Sequence, residues 1–245
     1  MTRIAFFGDL HGNAEATEAV LLDIEAQTPD HLICLGDLVG YGANPNEVID
    51  RVRDRKIPVI MGNYDDGIGF DRGDCGCAYR DETEKANGEK SIAWTADAVT
   101  HTNKRWLQTL LPEYRLEAGG LRIRVVHGSP RRINEYLFED RNEASLERIA
   151  RSADCDVLVF GHTHKPWTRD IAGVRFINVG SVGKPKDGDP RACWAMLEVG
   201  GQGEAAVTFH RVEYDIDLAA AAIRNTAGLP DVYANDIEIG GATPA

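Results

Sequence analysis

The sequence predicts an α/β (α+β) fold in which two β-sheets pack together and helices cover their outer faces. Over roughly the first sixty residues, apolar strand-like runs alternate with helical periods, which is typical of parallel strands joined by crossover helices. From Arg115 onward most segments alternate between apolar and polar residues and are separated by Gly-rich turns, which is typical of antiparallel strands. Two packed sheets with helices outside accommodate both halves.

The length of the chain is compatible with one domain. Its 245 residues are long for an average domain but ordinary for an α/β domain with a large core. Hydrophobic residues make up 43% of the chain, which is enough to fill such a core. There is no internal repeat or low-complexity tract, so we expect a single domain over residues 1–245.

In the first half, apolar runs predict strands and 3.6-residue periods predict helices. The expected strands are 3–8, 31–35 and 58–61, and the expected helices are 13–26, 45–53 and 85–111. Pro45 suits the first turn of its helix. Residues 62–84 show no period, and an unstructured stretch of this length in a compact domain is usually functional or disordered.

In the second half, strand-like segments predominate. A hairpin is expected over 115–126, because the alternation there is interrupted by Gly119-Gly120. The other expected strands are 156–160, 167–171, 174–179, 192–199 and 205–214, the expected helices are 143–152 and 217–226, and an irregular tail follows.

Charge and cysteine content narrow the class of protein. The formal net charge of −12 and the sequence pI near 5.0 argue against binding to a nucleic-acid duplex, which needs clustered Lys and Arg. No segment approaches the roughly 20 apolar residues of a membrane helix, and Ile4–Phe7 is too short for a signal peptide. Five cysteines without a CxxC pair favour reduced thiols, so we expect a cytoplasmic protein without membrane contact.

Five predicted strands are each followed directly by side chains that can bind a metal ion. Ligands in open α/β sheets gather beyond the carboxyl ends of the strands, so these ends can converge. Each signal alone has a structural explanation, such as helix capping by Asp, but the ordered set favours one shared site. The candidate metal ligands are Asp9, His11, Asp37, Asn63, His127, His162 and His164.

The chemistry of these candidates favours two ions. Two carboxylates, four imidazoles and one amide, without cysteine, suit Mn, Fe, Zn, Ni or Co. Seven ligands are too many for one ion of ordinary coordination and enough for two ions that share a carboxylate. Two ions about 3.5–4 Å apart can activate a water and clamp the oxygens of a phosphoryl displacement.

At these residues the sequence resembles the calcineurin-like metallophosphoesterase superfamily, and within it the small prokaryotic phosphodiesterase branch. The resemblance implies a four-layer αββα sandwich with two mixed β-sheets flanked by helices. The matching motifs are Gly8-Asp9-Leu10-His11-Gly12-Asn13, Gly36-Asp37, Gly62-Asn63, Val126-His127-Gly128, Gly161-His162-Thr163-His164 and Asn178-Val179-Gly180-Ser181.

The resemblance also implies roles for the candidate ligands. Asp9, His11 and His164 would hold one ion, and Asn63, His127 and His162 would hold the other. Asp37 would bridge the ions, and a bridging hydroxide would attack phosphorus. Asn63 and the backbone near Gly180 could orient phosphate oxygens.

The implied activity is that of a metal-dependent phosphoric ester hydrolase. It would hydrolyse phosphodiester or phosphoanhydride bonds of a small phosphorylated substrate, a nucleotide being one candidate. Phosphoprotein phosphatase activity is an alternative without support from a peptide-binding signal. The oligomeric state does not follow from the sequence.

One departure from the family pattern affects the mechanism. The family usually has Gly-Asn-His at the third motif, followed by Asp or Glu, whereas this chain has Gly62-Asn63-Tyr64-Asp65. The missing His would stabilise the transition state and protonate the leaving oxygen, and such general-acid assistance is worth roughly 10²–10⁴-fold. Tyr64 and Asp65 therefore join Asp37 and Asn63 as candidate catalytic residues.

Three explanations of this departure stay open. The substrate has a good leaving group, or another residue supplies the proton, or the protein is a weak catalyst that acts as a metal or nucleotide sensor. The alternative proton donors are Asp65, Asp66, His31 and His101.

Several residues outside the motifs have both a functional and a structural interpretation. Arg131 and Arg132 follow His127 closely and either grip phosphate oxygens or pair with acidic residues. The Cys75-Gly76-Cys77 segment is better explained as two unpaired thiols in a loop that could cover the substrate. Tyr41 and Trp167 either stack on a base or pack in the core or rim. Four further basic residues are expected on loops after strands, and each either contacts phosphate or is a solvated charge: Lys165, Lys184, Lys186 and Arg191.

Overall fold

The computed structural model describes residues 1–241, in which nine strands and eight helices form. The elements up to residue 107 are β1 (Thr2–Phe7), α1 (Ala14–Gln27), β2 (His31–Cys34), α2 (Pro45–Asp54), α3 (Asn63–Gly69), α4 (Glu82–Ala98) and α5 (His101–Leu107). The later elements are β3 (Tyr114–Ala118), β4 (Leu121–Val125), α6 (Glu143–Ala153), β5 (Val157–Phe160), β6 (Trp167–Ile171), β7 (Val174–Asn178), β8 (Ala192–Val199), β9 (Ala205–Val212), α7 (Ile216–Arg224) and α8 (Val232–Ile239).

The strands form two mixed sheets, as predicted. The first sheet has the order β2-β1-β8-β9, in which β1 and β2 are parallel and β8 is antiparallel to both of its neighbours. The second has the order β3-β4-β5-β7-β6, with β4, β5 and β7 parallel and an antiparallel strand at each edge. The carboxyl ends of β1 and β2, and those of β4 and β5, therefore point the same way within their own sheet.

Alternation along the strands produces the four layers. Ile4 and Phe6 of β1 pack with Val157 and Val159 of β5 in the core between the sheets. The intervening residues of β1 pack against α1 and α2, and those of β5 pack against α6. Because side chains alternate between the two faces of a strand, each sheet buries both faces. The expected αββα sandwich is confirmed.

The first helix shows how a local signal positions a functional loop. The side chain of Asn13 accepts a hydrogen bond from Ala16 N at 3.0 Å and so caps α1. Val20, Leu21 and Ile24 then fall on one buried face of the helix. The loop between β1 and α1, which carries Asp9 and His11, is thus anchored at both ends.

The prediction of a third strand over residues 58–61 is wrong. Residues 58–61 form only isolated bridges, from Val59 to Cys34 and from Ile60 to Leu111. Pro58 has no backbone N–H to donate, and two paired positions do not extend into a ladder. The segment still lies beside β2, which places Asn63 near the end of that strand.

Helix α3 lies in the stretch 62–84 for which no period was found. Gly67 and Gly69 lower the helix propensity of this seven-residue segment, and tertiary contacts override that preference. The segment 85–111, expected as one helix, forms parts of two helices, α4 and α5. The side chain of Thr100 begins α5 by accepting a hydrogen bond from Asn103 N at 3.2 Å.

The end of the chain also differs from expectation. The predicted irregular tail contains α8, whose Tyr233, Ala234 and Ile237 pack against α7. Residues 242–245 of that tail lie outside the described residues, and a single domain over 1–245 remains a prediction. None of the helices within 1–241 combines the length and apolar character that crossing a bilayer requires.

The core between the sheets gives a stability prediction. Ile123 on β4 is 1% exposed in this core, so Ile123→Ala is expected to lower the free energy of unfolding by about 2–5 kcal/mol in urea titrations. Leu22→Ala, at a site that is 54% exposed on α1, is the control and should change it by about 0.5 kcal/mol or less. Equal effects of the two substitutions would contradict the described packing.

Candidate metal centre

The loops after the parallel strands converge on one buried place. Its residues form two groups whose potential ligand atoms lie within 4.8 Å of one another, and every side chain in them is buried. The first group comprises Asp9, His11 and His164, and the second comprises Asp37, His127 and His162. Asn63, at the start of α3, joins the second group through Oδ1, which lies 3.1 Å from His127 Nε2.

The backbone of these loops has an unusual conformation. Five of the seven predicted ligands have a positive φ between 48° and 67°. Such left-handed conformations cost non-glycine residues roughly 1–3 kcal/mol each and concentrate at functional sites. The residues concerned are Asp9, His11, Asp37, His162 and His164.

Hydrogen bonds between the loops hold this conformation. The N–H groups of Leu10 and His11 both donate to Asp37 O at 2.9 Å. Gly183 N and Ser181 Oγ both donate to Asp9 O, at 2.9 and 2.8 Å. The loops after β1, β2 and β7 are therefore tied into one unit.

Asp65 ties a further part of the site together. Its Oδ2 accepts hydrogen bonds from Asp37 N at 2.8 Å and Gly62 N at 3.0 Å, and its Oδ1 accepts from Leu38 N at 2.9 Å. Burial, then the charge of Asp37, raises the pKa of this carboxyl to about 7. All three contacts are to backbone donors, so Asp65 positions the loop that carries Asp37.

Glycines next to the ligands permit close approach. A Cβ atom on Gly161 would lie 2.5 Å from Asp9 Oδ2, and one on Gly62 would lie 2.1 Å from Asp37 Oδ1. Both distances are far shorter than a van der Waals contact. Gly62 and Gly161 therefore each make room for a carboxylate from another loop.

The first group has the character of a cation site. His11 Nδ1 donates to Val39 O at 3.0 Å, and His164 Nδ1 donates to Lys184 O at 2.6 Å. Burial lowers the pKa of His11 to about 3, and burial together with the charges of Lys186 and Lys184 lowers that of His164 well below its usual value, so both rings are neutral. Their Nε2 lone pairs therefore face each other at 3.0 Å.

Asp9 completes the first group. Its Oδ1 lies 3.4 Å from His164 Nε2 and 3.8 Å from His11 Nε2. This oxygen is buried and has no hydrogen-bond partner among residues 1–241. Two opposed lone pairs and an unpaired carboxylate oxygen repel one another unless a cation lies between them, so the residues fit a metal ion.

The second group is organised in the same way. His127 Nδ1 donates to Leu35 O at 2.7 Å, which directs Nε2 into the site. Asn63 Nδ2 donates to Cys75 O at 2.8 Å, which turns Oδ1 toward His127. His162 Nε2 is buried without a hydrogen-bond partner in the described part of the chain. The side chains of His127 and Asn63 are therefore each oriented by a hydrogen bond on the side away from the site.

Asp37 lies between the two groups. Its Oδ1 accepts a hydrogen bond from Tyr64 N at 2.8 Å, whereas Oδ2 lies 3.4 Å from His127 Nε2 and 3.7 Å from His11 Nε2. Burial lowers the pKa of a histidine, but Asp37 outweighs it and raises the pKa of His127 to about 10. Without a metal, a proton on His127 thus offsets part of the negative charge.

Tyr64 is buried rather than open to solvent. Its ring lies 5.4 Å from that of His11 and 4.9 Å from that of Tyr41, against Gly40. The hydroxyl is buried and has no hydrogen-bond partner within residues 1–241. Burial raises its pKa well above the usual value, so the hydroxyl is a poor proton donor at neutral pH.

Of the predicted phosphate contacts, Asn63 lies at the site, whereas Arg131 and Gly180 are engaged elsewhere. Arg131 is exposed and pairs with Glu135, with Nε to Oε2 at 3.0 Å, and Arg132 is exposed. No hydrogen bond or ion pair joins either arginine to the metal ligands in the described structure. Gly180 N donates to Asn178 Oδ1 at 3.0 Å, so the expected backbone donor is already used.

The other proton-donor candidates are placed away from the metal groups or are paired. His31 begins β2, at the end opposite to Asp37, and His101 is an exposed residue of α5. Asp66 forms an ion pair with Arg72 at 2.7 Å. Trp167 is buried in the core and donates to Leu137 O at 3.1 Å, as its structural interpretation predicted.

Two aromatic residues at the site were missed from the sequence. The Tyr136 ring lies 4.1 Å from the His162 ring, and the Tyr233 ring of α8 lies 4.8 Å from the Tyr41 ring. Neither belongs to a strand-end motif. Tyr233 could have been found only by predicting α8. That helix has eight residues, too few to give a clear helical period in the sequence.

These features define a class of protein. Buried imidazole and carboxylate groups at the ends of parallel strands, between two mixed sheets, are those of a metal-dependent hydrolase of phosphate esters. The family model for the calcineurin-like phosphoesterase superfamily domain matches residues 2–202. The chain belongs to this superfamily, as the sequence motifs predicted.

Similar proteins agree with this assignment. The chain is 31% identical to the uncharacterized protein MJ0912 of Methanocaldococcus jannaschii, over 88% of this chain and 89% of that protein. It is 28% identical to the phosphodiesterase YfcE of Escherichia coli K12, over 81% and 88% of the two chains. The crystal structure of a metallophosphoesterase from Sphaerobacter thermophilus is 32% identical with a TM-score of 0.75, and the match covers 98% and 99%.

The contacts of Asp65 give a prediction about metal binding. Asp65→Asn places an N–H₂ group against backbone donors, which should weaken Mn²⁺ binding roughly 10–100-fold, as loss of an orienting partner does. Isothermal titration calorimetry measures the dissociation constant.

The neighbouring Asp66→Asn is the matched control. It lies on the same helix and pairs with Arg72 at the surface, so it should leave Mn²⁺ affinity unchanged. If both variants bind Mn²⁺ as the parent protein does, Asp65 does not position the ligands.

Proposed function

We propose that the protein is a binuclear metal-dependent phosphoesterase that hydrolyses phosphodiester or phosphoanhydride bonds in a small phosphorylated substrate. The observation that carries the proposal is the position of Asp37 Oδ2, which lies within 3.7 Å of an imidazole nitrogen from each ligand group. One carboxylate oxygen can therefore serve both groups. The donor set suits Mn, Fe, Zn, Ni or Co.

The chain would hold two ions with the ligand sets predicted from the motifs. Asp9, His11 and His164 would hold one, Asn63, His127 and His162 the other, and Asp37 would contact both. When bound, the ions would activate a water as nucleophile and neutralise charge on the phosphate. The residues around them fix the ligand orientations, and the buried site excludes bulk solvent from the ligand atoms.

The diester class is supported by similarity to YfcE, which is a phosphodiesterase. A phosphodiester carries one negative charge and two ester oxygens, so its hydrolysis needs less charge neutralisation than that of a monoester. The placement of Arg131 on Glu135, rather than at the metal centre, agrees with a substrate of low charge.

The surroundings of Tyr64 favour a substrate with a good leaving group. The Tyr64 hydroxyl is a poor acid, and Asp65 is held by three backbone donors. His31 and His101 lie on other parts of the surface. Among the predicted proton donors, none presents a readily released proton at the ligand groups, so departure would depend on the intrinsic stability of the leaving group. Aryl esters and phosphoanhydrides meet this condition.

Substitution of Asp37 tests the metal-dependent activity. Asp37→Asn removes the negative charge shared by the two groups, so kcat/KM toward bis(4-nitrophenyl) phosphate with Mn²⁺ should fall at least roughly 10²-fold. Asp54→Asn, an exposed carboxylate on α2, is the control with unchanged turnover. An active Asp37→Asn variant would contradict the proposal.

A leaving-group series tests the role assigned to Tyr64. The rate should fall steeply as the pKa of the leaving alcohol rises, because no residue protonates it. Tyr64→His should raise the rate on alkyl diesters by up to roughly 10²–10⁴-fold and flatten the series. Tyr64→Phe should leave the slope unchanged, since the buried hydroxyl donates no proton. Equal rates of the parent protein on aryl and alkyl diesters would refute the good-leaving-group account.

The same Tyr64 environment favours one second candidate, a metal or nucleotide sensor with weak catalysis. A substrate panel with added Mn²⁺ or Ni²⁺ separates the two. Negligible turnover together with tight nucleotide binding would favour the sensor, and rapid turnover would exclude it.

A further inference from the structure

Helix α8 packs against the loop that supports the first group of metal ligands. Gly188 N, on the loop after β7, donates a hydrogen bond to Gly240 O at 3.0 Å. A Cβ atom on Gly240 would lie 2.5 Å from the carbonyl carbon of Asp189, so the end of the helix touches the loop backbone. The family model matches residues 2–202, so α8 lies outside the matched part of the chain. The ligand motifs therefore give this helix no role.

The same loop carries the residue that orients His164. Lys184 O accepts a hydrogen bond from His164 Nδ1 at 2.6 Å, and His164 Nε2 faces His11 Nε2 on the other side of the ring. Lys184 N donates to Ser181 Oγ at 2.9 Å, and Ser181 Oγ donates to Asp9 O at 2.8 Å. The backbone of Lys184 is therefore hydrogen-bonded, directly or through Ser181, to two of the three ligands in the first group.

The side chain of Lys184 is buried and paired with α8. It is 5% exposed, and its Nζ lies 2.5 Å from Asp236 Oδ2. The same Nζ lies 5.1 Å from the centre of the Tyr41 ring and 5.5 Å from that of the Tyr233 ring. No second carboxylate pairs with this ammonium group among residues 1–241. Asp236 is thus the counterion of a lysine that has little access to water.

Aromatic contacts connect α8 to a further ligand of the first group. The Tyr233 ring lies 4.8 Å from the Tyr41 ring, and the Tyr41 ring lies 4.8 Å from the His11 ring, each edge to face. Helix α8 therefore packs against the supports of both His11 and His164. The connection through Lys184 depends on a single ion pair, so one substitution can remove it.

Loss of the Asp236 charge would disturb His164 through Lys184. A buried ammonium group without a counterion is unfavourable, so the Lys184 side chain would move toward water. Its backbone carbonyl, which fixes the His164 ring, lies on the same residue and would shift with it. Partners that orient a metal-binding histidine contribute roughly 10–100-fold to metal affinity. The ion pair with α8 is therefore placed to maintain the geometry of the first group.

We propose that Asp236 is a positioning residue for the metal ion of the first group, and that it acts on His164 through Lys184. It holds the Lys184 side chain against α8 and so keeps Lys184 O in place as the acceptor for His164 Nδ1. Helix α8 is then part of the metal centre, although it lies beyond the matched family domain. The inference rests on the proposed function, because it requires that the two groups bind separate ions.

Metal binding by substituted proteins tests this proposal without turnover. In calorimetric titrations, Asp236→Asn should weaken one of the two Mn²⁺ sites roughly 10–100-fold and change the other by less than about twofold. Asp236→Glu keeps the charge and should recover most of the affinity. Glu238→Gln is the matched control, because it removes a carboxylate of α8 that pairs with Arg224 rather than with Lys184. It should bind Mn²⁺ as the parent does.

A double substitution shows whether Asp236 acts through Lys184. In a Lys184→Met background, Asp236→Asn should change Mn²⁺ affinity by less than about twofold, because no buried ammonium group is left without a counterion. A direct effect of the Asp236 charge on the ion would persist in that background. Lys184→Met keeps the backbone carbonyl that His164 uses, so the ligand support is retained.

Four results would overturn the proposal. Asp236→Asn could bind both ions as the parent does, Glu238→Gln could weaken binding as much as Asp236→Asn, or the effect of Asp236→Asn could persist beside Lys184→Met. Anomalous maps of the Asp236→Asn protein locate the affected ion, and a reduced peak in the second group would be the fourth. A parent that binds fewer than two Mn²⁺ ions would instead contradict the proposed function, and the inference with it.

Discussion

The arrangement depends on one carboxylate, that of Asp37, which stands between two buried sets of metal-binding side chains. Its Oδ1 is fixed by Tyr64 N, so that Oδ2 is left to face His11 and His127. Asp65 in turn fixes the backbone of Asp37. Lone pairs and negative charge concentrated in this way repel one another in a buried space, and cations remove that repulsion. The fold therefore holds the ligands in place before any ion binds.

The strained backbone at the site has a free-energy cost that the rest of the fold offsets. Five ligands have left-handed backbone conformations, each unfavourable by roughly 1–3 kcal/mol. Hydrogen bonds between loops and the core between the sheets offset that cost. Metal binding adds to stability because the unfolded chain has no preformed site, so folding and metal affinity are linked. Five of the eleven non-glycine residues with a positive φ among residues 1–241 are thus candidate metal ligands.

Most of the fold, and the convergence of the candidate ligands, could be predicted from the sequence, because both depend on local patterns. A continuous apolar run identified β1, and the Gly-Asp and Gly-His pairs marked the ends of strands. Helix α3 could not be predicted, since its glycines oppose helix formation and Asp65 and packing override them. The engagement of Arg131 with Glu135 depends on the folded loop. The same holds for the pairing of Lys184 with Asp236 of α8.

The number of bound ions tests the central claim most directly. Crystals of the protein grown with Mn²⁺ would be measured at wavelengths on both sides of the Mn absorption edge. The account predicts two anomalous peaks, one beside Asp9, His11 and His164 and one beside Asn63, His127 and His162, with Asp37 between them. A single peak, or none, under metal-replete conditions would contradict it.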